Sequence, residues 1–181
     1  KQNQEWVEKI FAKWKKSKED VPEIIPLQIG TENIITEKRY KYLDRCQEED
    51  VCICEMSQAN AEQVERILSI AEADPAGWRK TKLEDRHKMM YAAANNLAEM
   101  RGDLIGCMCA VTGKTVVEGD VEVSEGIDYA RFYTTTMRTF SELGDVSLTA
   151  KGTVLVISPW NFPCAIPIGG IVAGLAGGNT V

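Results

Sequence analysis

The run Thr153-Val154-Leu155-Val156-Ile157 is continuous in β-branched and apolar residues, the composition of a parallel strand covered on both faces. It stops at Ser158-Pro159-Trp160-Asn161-Phe162-Pro163, where two prolines fix the backbone and polar groups follow the strand's carboxyl end. In open α/β sheets, ligands bind beyond that end of the strands. The next segment, 165–178, is apolar and carries Gly169, Gly170, Gly174, Gly177 and Gly178. It is too short to cross a bilayer, and each glycine inside a helix costs about 1 kcal/mol relative to alanine. So many glycines imply that sheet strands or a flat ligand approach the backbone closely. Residues 179–181 begin another extended piece, which makes strand, loop, helix and strand: a Rossmann-like unit without the G-x-G-x-x-G fingerprint. An apolar glycine-rich helix in an ordinary core explains the same letters, so the segment by itself leaves both a nucleotide site and plain packing open.

Upstream the pattern is mostly helical. Trp6, Val7, Ile10, Phe11 and Trp14 recur at three- and four-residue spacing and predict an amphipathic helix over 5–14. Pro22 and Pro26 then lead into an extended run, 24–29, closed by Gly30, and residues 33–36 and 51–54 read as short strands. Asn60 with Gln63 forms a capping-box pattern ahead of Val64, Ile67, Leu68 and Ala71, in a helix ending near Asp74-Pro75. Thr81-x-x-Glu84 predicts a second capping box before a stripe of Leu83, His87, Met90, Ala94 and Leu97. A helix over 102–111 turns Leu104, Ile105 and Met108 inward and stops at Gly113. A longer one over 117–143 has Val123, Ile127, Ala130 and Thr134 on one face and ends at Gly144. The expected fold class is α/β, a helical layer packed on the start of a Rossmann-like parallel sheet.

With 44% hydrophobic and 27% charged residues the chain belongs with globular proteins rather than disordered ones. A net charge of -6 and a pI near 5.0 argue against a nucleic-acid partner. The basic run Lys13, Lys15, Lys16 and Lys18 reads as a solvated helix face. Six cysteines without a leader-like N-terminal segment fit a reducing cytoplasm. Cys52-x-Cys54 and Cys107-x-Cys109 lack the two-residue gap of zinc knuckles and redox dithiols, so no metal site is expected. His87, the only histidine, lies on an apolar stripe and reads as a packing residue.

The run 157–163, followed by Ala165-Ile166-Pro167 and Gly177-Gly178-Asn179-Thr180-Val181, resembles the signature of the aldehyde dehydrogenase superfamily. The stretch from Asn60 through Tyr133 looks like the helical N-terminal part of the same domain. It includes Trp78, Arg86, Thr112-Gly113-Lys114 and Glu122-x-x-Glu125-x-x-Asp128-Tyr129. Residues 57–133, with Ser124-Glu125-Gly126-Ile127-Asp128-Tyr129, are most similar to glutamate semialdehyde (pyrroline-5-carboxylate) dehydrogenases, especially the dehydrogenase half of bifunctional proline utilization A. In those bifunctional proteins a proline dehydrogenase domain precedes this one, so residues 1–30, with their amphipathic helix, are expected to be a connector and 31–181 the front of the dehydrogenase domain.

The resemblance implies a mechanism in which a cysteine thiolate attacks the aldehyde, hydride passes from the thiohemiacetal to nicotinamide, and water assisted by a glutamate releases the acid. Asn161 matches the family asparagine whose amide steadies the developing oxyanion; read alone, it is an ordinary turn residue. Ile157, Ser158, Pro159 and Trp160 carry over as the wall beside the nicotinamide end of NAD, with NADP the other candidate. Phe162 carries over as an aromatic side of the aldehyde tunnel, and Glu125 as a carboxylate near the substrate mouth. Each has a bland counterpart: core packing for Phe162, a plain surface glutamate for Glu125. Cys164 stands where relatives usually carry an apolar residue and reads as packing, and Val111 stands where relatives often carry glutamate. A small aldehyde substrate and a homo-oligomer are implied as partners.

The lysine and proline that normally follow the second strand, the general-base glutamate and the nucleophilic cysteine all belong to later segments of such enzymes. The sequence is therefore expected to be the front of a whole enzyme, inactive alone. A silent paralogue kept for nucleotide binding, a structural piece of an assembly, and a dehydrogenase for another semialdehyde are the alternatives.

Overall fold

The computed structural model describes residues 2–47 and 50–181. The chain divides into two compact units, one comprising the chain up to Ile70 with Gly102–Asp120, the other Ala71–Arg101 with Val121–Val181. The expected mixed class holds: six α-helices, a 3-10 turn and five short strands occur among the described residues.

In the first unit, α1 (Gln2–Trp14) is followed by β1 (Glu23–Ile25), β2 (Leu27–Ile29), β3 (Glu32–Ile34), β4 (Arg39–Leu43) and β5 (Cys52–Ser57). The run read as one extended piece is two strands. Pro26, which has no N–H to donate, separates β1 from β2, and each joins a different sheet. β1 pairs parallel with β5 and β5 pairs antiparallel with β4, while β2 and β3 form a hairpin across Gly30-Thr31. Gly30 turns the hairpin with φ +60°, a conformation open to glycine at no steric cost. β4 was not anticipated, although Arg39-Tyr40-Lys41-Tyr42 alternates charged and aromatic residues as a half-exposed strand does.

α4 (Arg101–Thr112) is the apolar partner of α1 in this unit. Gly106 presents bare backbone to Trp14, whose indole lies where a Cβ on residue 106 would sit. The indole N–H donates to Asp103 at 3.3 Å, and Lys13 pairs with the same carboxylate. α1 is thus packed on this unit's core, with Ile10 buried.

α2 (Ala61–Ala73) starts with the expected capping box: the Gln63 N–H donates to Asn60 Oδ1 at 2.8 Å and the Asn60 N–H to Gln63 Oε1 at 2.9 Å. Its inward stripe is rotated from the expected one. Ile67, Ile70 and Ala71 are half-buried while Val64 and Leu68 are exposed, because Ile70 rests on Gly30. The second expected capping box does not form. The Thr81 hydroxyl donates back to the Gly77 carbonyl at 3.3 Å, and α3 (Leu83–Glu99) is capped at Lys82 without a side-chain bond. A box of that kind does open α5 (Val116–Ser141), where the Thr115 N–H donates to Glu118 at 2.9 Å and the Glu118 N–H to the Thr115 hydroxyl at 3.3 Å. The expected stripe of α5 is buried as read, at Val123, Ile127, Ala130 and Thr134, while on α3 Met90 and Ala94 are buried and Leu83, His87 and Leu97 half-buried.

In the second unit Asp74 adopts a left-handed φ of +47°. Its carboxylate accepts the N–H groups of Trp78 (2.8 Å) and Arg79 (2.9 Å). The Arg79 guanidinium then caps α2 by donating to the Ala71 and Glu72 carbonyls. The Trp78 indole does the same for α6 (Ala165–Ala176), donating to the Leu175 carbonyl at 3.0 Å. Among the described residues no helix is long and apolar enough to cross a membrane.

Two outcomes are expected. Gly106→Ala forces the Trp14 ring off α4 and lowers stability by about 1–3 kcal/mol; an unchanged denaturation midpoint would show that Trp14 is not held there. The second concerns pH. The Arg79 N–H, helped by the Trp78 N–H and the nearby Arg79 and Lys80 charges, lowers the Asp74 pKa against partial desolvation. A lowered folded-state pKa adds stability that is full above about pH 4 and is lost as pH falls toward the folded value. Asp74→Asn is therefore less stable than wild type near neutrality, and the deficit closes below about pH 4; a deficit constant from pH 7 to 3 contradicts this.

Candidate functional site

The segment that follows α5 is extended, but only its first residue is in a bridge: Thr153 pairs parallel with Thr180, through Val154 N–H to Thr180 O (2.8 Å) and Thr180 N–H to Gly152 O (3.0 Å). The expected five-residue strand is thus a single bridge, since the only strand-like partner within the described residues is the short piece around Thr180. The alternation of a strand is nevertheless present. Val154 and Val156 face α6, while Leu155 and Ile157 are 81% and 83% exposed.

α6 comes this close because its glycines allow it. A Cβ on Gly170 would lie 2.9 Å from Val156, and one on Gly174 2.8 Å from Val181. On another side of the helix, a Cβ on Gly169 would lie 3.0 Å from the Tyr129 ring of α5. α5 returns the same device: a Cβ on Gly126 would meet Ile168 at 3.0 Å and the Ala165 backbone at 3.6 Å. The approach inferred from the glycines is therefore one of protein chain on at least two sides.

Asn179 locks the base of this arrangement. It is buried, accepts the N–H groups of Lys151 (2.6 Å) and Gly152 (3.0 Å) through Oδ1, and donates from Nδ2 to the Gly174 carbonyl at 3.0 Å. At the opposite end of α6 the first N–H groups need an acceptor, and Cys164 at the N-cap position has no side-chain cap bond to offer. Glu122 of α5, 1% exposed, supplies it. Its Oε1 accepts the Cys164 N–H at 2.8 Å and the Ala165 N–H at 3.1 Å. Pro167 sits in the first turn of α6, where its missing N–H costs nothing.

Between the Val156 contact and the Glu122 bonds, residues 157–163 form a turn that projects outward. Ile157, Ser158, Pro159, Trp160, Asn161 and Phe162 are all exposed, Trp160 at 62% and Phe162 at 38%. Asn161 makes no hydrogen bond with the described residues, so its amide is available to a ligand. Glu125 lies on the same stretch of α5, between Glu122 and Gly126, and accepts the Tyr129 hydroxyl at 2.8 Å. That bond and the carboxylate's charge raise the Tyr129 pKa. The structure thus keeps 157–162 together on one turn and sets Glu125 on the helix that anchors it.

Glu122 and Asn179 were not singled out as functional from the sequence. A signal for Glu122 exists: positions 119, 122, 123, 126, 127, 130 and 134 form one buried stripe, and a glutamate on such a stripe requires a polar partner. Cys164 is buried, as expected for packing, and its N–H is one of the groups Glu122 holds. His87 stacks on Tyr91 at 5.9 Å, and no metal-binding cluster occurs among the described residues. Asn179→Ala would leave the part-buried N–H groups of Lys151 and Gly152 without their acceptor; a loss of roughly 1–3 kcal/mol is expected on chemical denaturation, and a loss under about 0.5 kcal/mol would mean water replaces the amide.

Residues 35–181 match the model of the aldehyde dehydrogenase family. The 1-pyrroline-5-carboxylate dehydrogenase of Geobacillus sp. (strain WCH70) is 31% identical over 177 residues, covering 92% of this chain and 34% of that protein. That of Bacillus cytotoxicus is 31% identical over 166 residues, covering 86% and 32%. The chain spans about a third of the length of these curated relatives. Among solved structures, proline utilization A (PutA) from Bdellovibrio bacteriovorus superposes with a TM-score of 0.88 at 24% identity, over 98% of this chain and 19% of that one. A 1-pyrroline-5-carboxylate dehydrogenase from Thermus with bound NAD gives 0.87 at 24% identity, over 99% and 36%. At those identities the likeness speaks for the fold, the front part of a larger α/β architecture, and the family follows from the sequence match, which runs through the Gly-rich helix, its Glu122 anchor and the projecting turn: the chain belongs to the aldehyde dehydrogenase family.

Proposed function

We propose that this chain is the front part of an NAD(P)-dependent dehydrogenase that oxidises L-glutamate γ-semialdehyde, formed from pyrroline-5-carboxylate, to glutamate in proline breakdown. The observation that carries the reading is the Asn161 amide, exposed and without a partner among the described residues, on a turn held at both ends. A 31% identity to a 1-pyrroline-5-carboxylate dehydrogenase across 92% of the chain supports the choice of aldehyde.

The residues fit a nicotinamide cofactor. Ile157 and Trp160 present exposed apolar surface beyond the bridged segment, and Ser158 and Pro159 add backbone and packing surface between them. When bound, the nicotinamide supplies a hydride acceptor. Asn161 donates its amide N–H to the substrate oxygen as that oxygen gains negative charge; such a donor favours the transition state over the aldehyde because the charge exists only there. Phe162 shields one side of the aldehyde, and Glu125, fixed by the Tyr129 hydroxyl, faces the polar end of the substrate. Residues 1–30 read as a connector from a proline dehydrogenase domain on the same chain, a reading in line with the likeness to PutA. A homo-oligomer in the cytoplasm completes the proposal.

In the full-length protein, Asn161→Ala is expected to lower turnover of pyrroline-5-carboxylate by roughly 100- to 1000-fold while changing nucleotide affinity less than twofold. Unchanged turnover removes Asn161 from the site. A wild-type protein that binds NAD yet oxidises neither this substrate nor other small aldehydes would make it a silent paralogue.

A further inference from the structure

Glu122 takes no part in the chemistry described above, yet its burial demands an explanation. Taking a carboxylate out of water is costly unless its oxygens regain hydrogen-bond partners. Here the cost is offset by two charge-assisted bonds from backbone N–H groups and by the positive end of α6. A neutral capping side chain at position 164, such as serine, would satisfy the helix end more simply. What Glu122 adds is a link between two helices. It fixes Cys164 and Ala165 against α5, beside the point where Gly126 rests on the Ala165 backbone.

We infer that Glu122 is a positioning residue for the Asn161 amide. Asn161 stands three residues before Cys164, a stretch that spans at most about 10–11 Å of chain, and Pro163 removes a backbone torsion between them. At the other end of the turn, Val156 rests on Gly170 of the same helix. The turn is therefore carried by α6 at both ends, and the Glu122 carboxylate is a polar tie that registers the start of α6 on α5. A shift of the α6 start along α5 moves the Asn161 amide with it, and a displacement of about 1 Å in an oxyanion donor costs on the order of 100-fold in rate.

The inference rests on the dehydrogenase reading, and a double-mutant cycle in the full-length enzyme separates the two. Glu122→Gln keeps an acceptor oxygen but removes the charge. It is expected to lower kcat at least tenfold with KM for the aldehyde within about twofold. In an Asn161→Ala background the same substitution should change kcat less than twofold, because the donor it positions is gone. Hydrogen exchange of residues 158–166 should quicken in Glu122→Gln while exchange in α3 is unchanged. An equal kcat loss in both backgrounds, or none in the wild-type background, overturns the positioning role and leaves the dehydrogenase reading intact. A wild-type enzyme without aldehyde oxidation overturns both. If Glu122→Gln does not fold, Glu122→Asp, which keeps the charge one methylene short of its bonds, goes through the same cycle; failure of both to fold assigns Glu122 to stability alone and also overturns the inference.

Discussion

The second unit depends on helix α6 having almost no side chains where it meets its neighbours. Gly169, Gly170 and Gly174 of α6 let the Tyr129 ring, Val156 and Val181 rest on bare helix, and Gly126 of α5 does the same for Ile168, at separations a Cβ would close to 3.0 Å or less. The helix accepts the intrinsic penalty of its glycines, about 1 kcal/mol each, in return for packing at close range on different sides. Dispersion falls steeply with distance, so a gap of half an ångström along these contacts would forfeit a quarter to a half of each. A helix of leucines in the same place would bury more area but hold the extended segment farther away.

Close packing on glycine sets the register of α6 only loosely, since apart from Ile168 against Gly126 its contacts there offer few ridges to interlock. Polar ties supply the register. Glu122 pins the first N–H groups, Asn179 pins the Gly174 carbonyl, and the Trp78 indole pins the Leu175 carbonyl. The Trp78 tie comes from the loop ordered by Asp74, whose neighbour Arg79 holds the last carbonyls of α2. Both ends of α6 are thus fixed by side chains from outside the helix. An internally capped helix would fix its own ends but not its position.

Much of this is legible in the letters. The stripes of α3 and α5 read correctly because packing there obeys one period along a long helix, and Asn60-x-x-Gln63 reads correctly because both partners are local. Thr81-x-x-Glu84 has the same letters as Thr115-x-x-Glu118 and behaves differently, since the Gly77 carbonyl in the Asp74 turn captures the Thr81 hydroxyl first. Local signals fail where a distant partner decides. Val64 and Leu68 lose their expected burial to Ile70 because Gly30, forty residues earlier, is where α2 meets the hairpin. The projecting turn was legible from Pro159 and Pro163, but the role proposed for Asn161 came only through family resemblance: without it, Asn161 is a turn residue like many others. Glu122 was hidden among Glu118, Asp120, Glu125 and Asp128, and its place on the buried stripe is what sets it apart.

The same geometry explains why the turn at 157–163 can be both exposed and ordered. Exposed turns are usually mobile because their only constraints are at the surface. Here the two flanks are buried against one rigid element, and Pro159 and Pro163 stiffen the residues between them. Ordering costs of roughly 1–2 kcal/mol per residue are met by anchors that lie outside the turn itself.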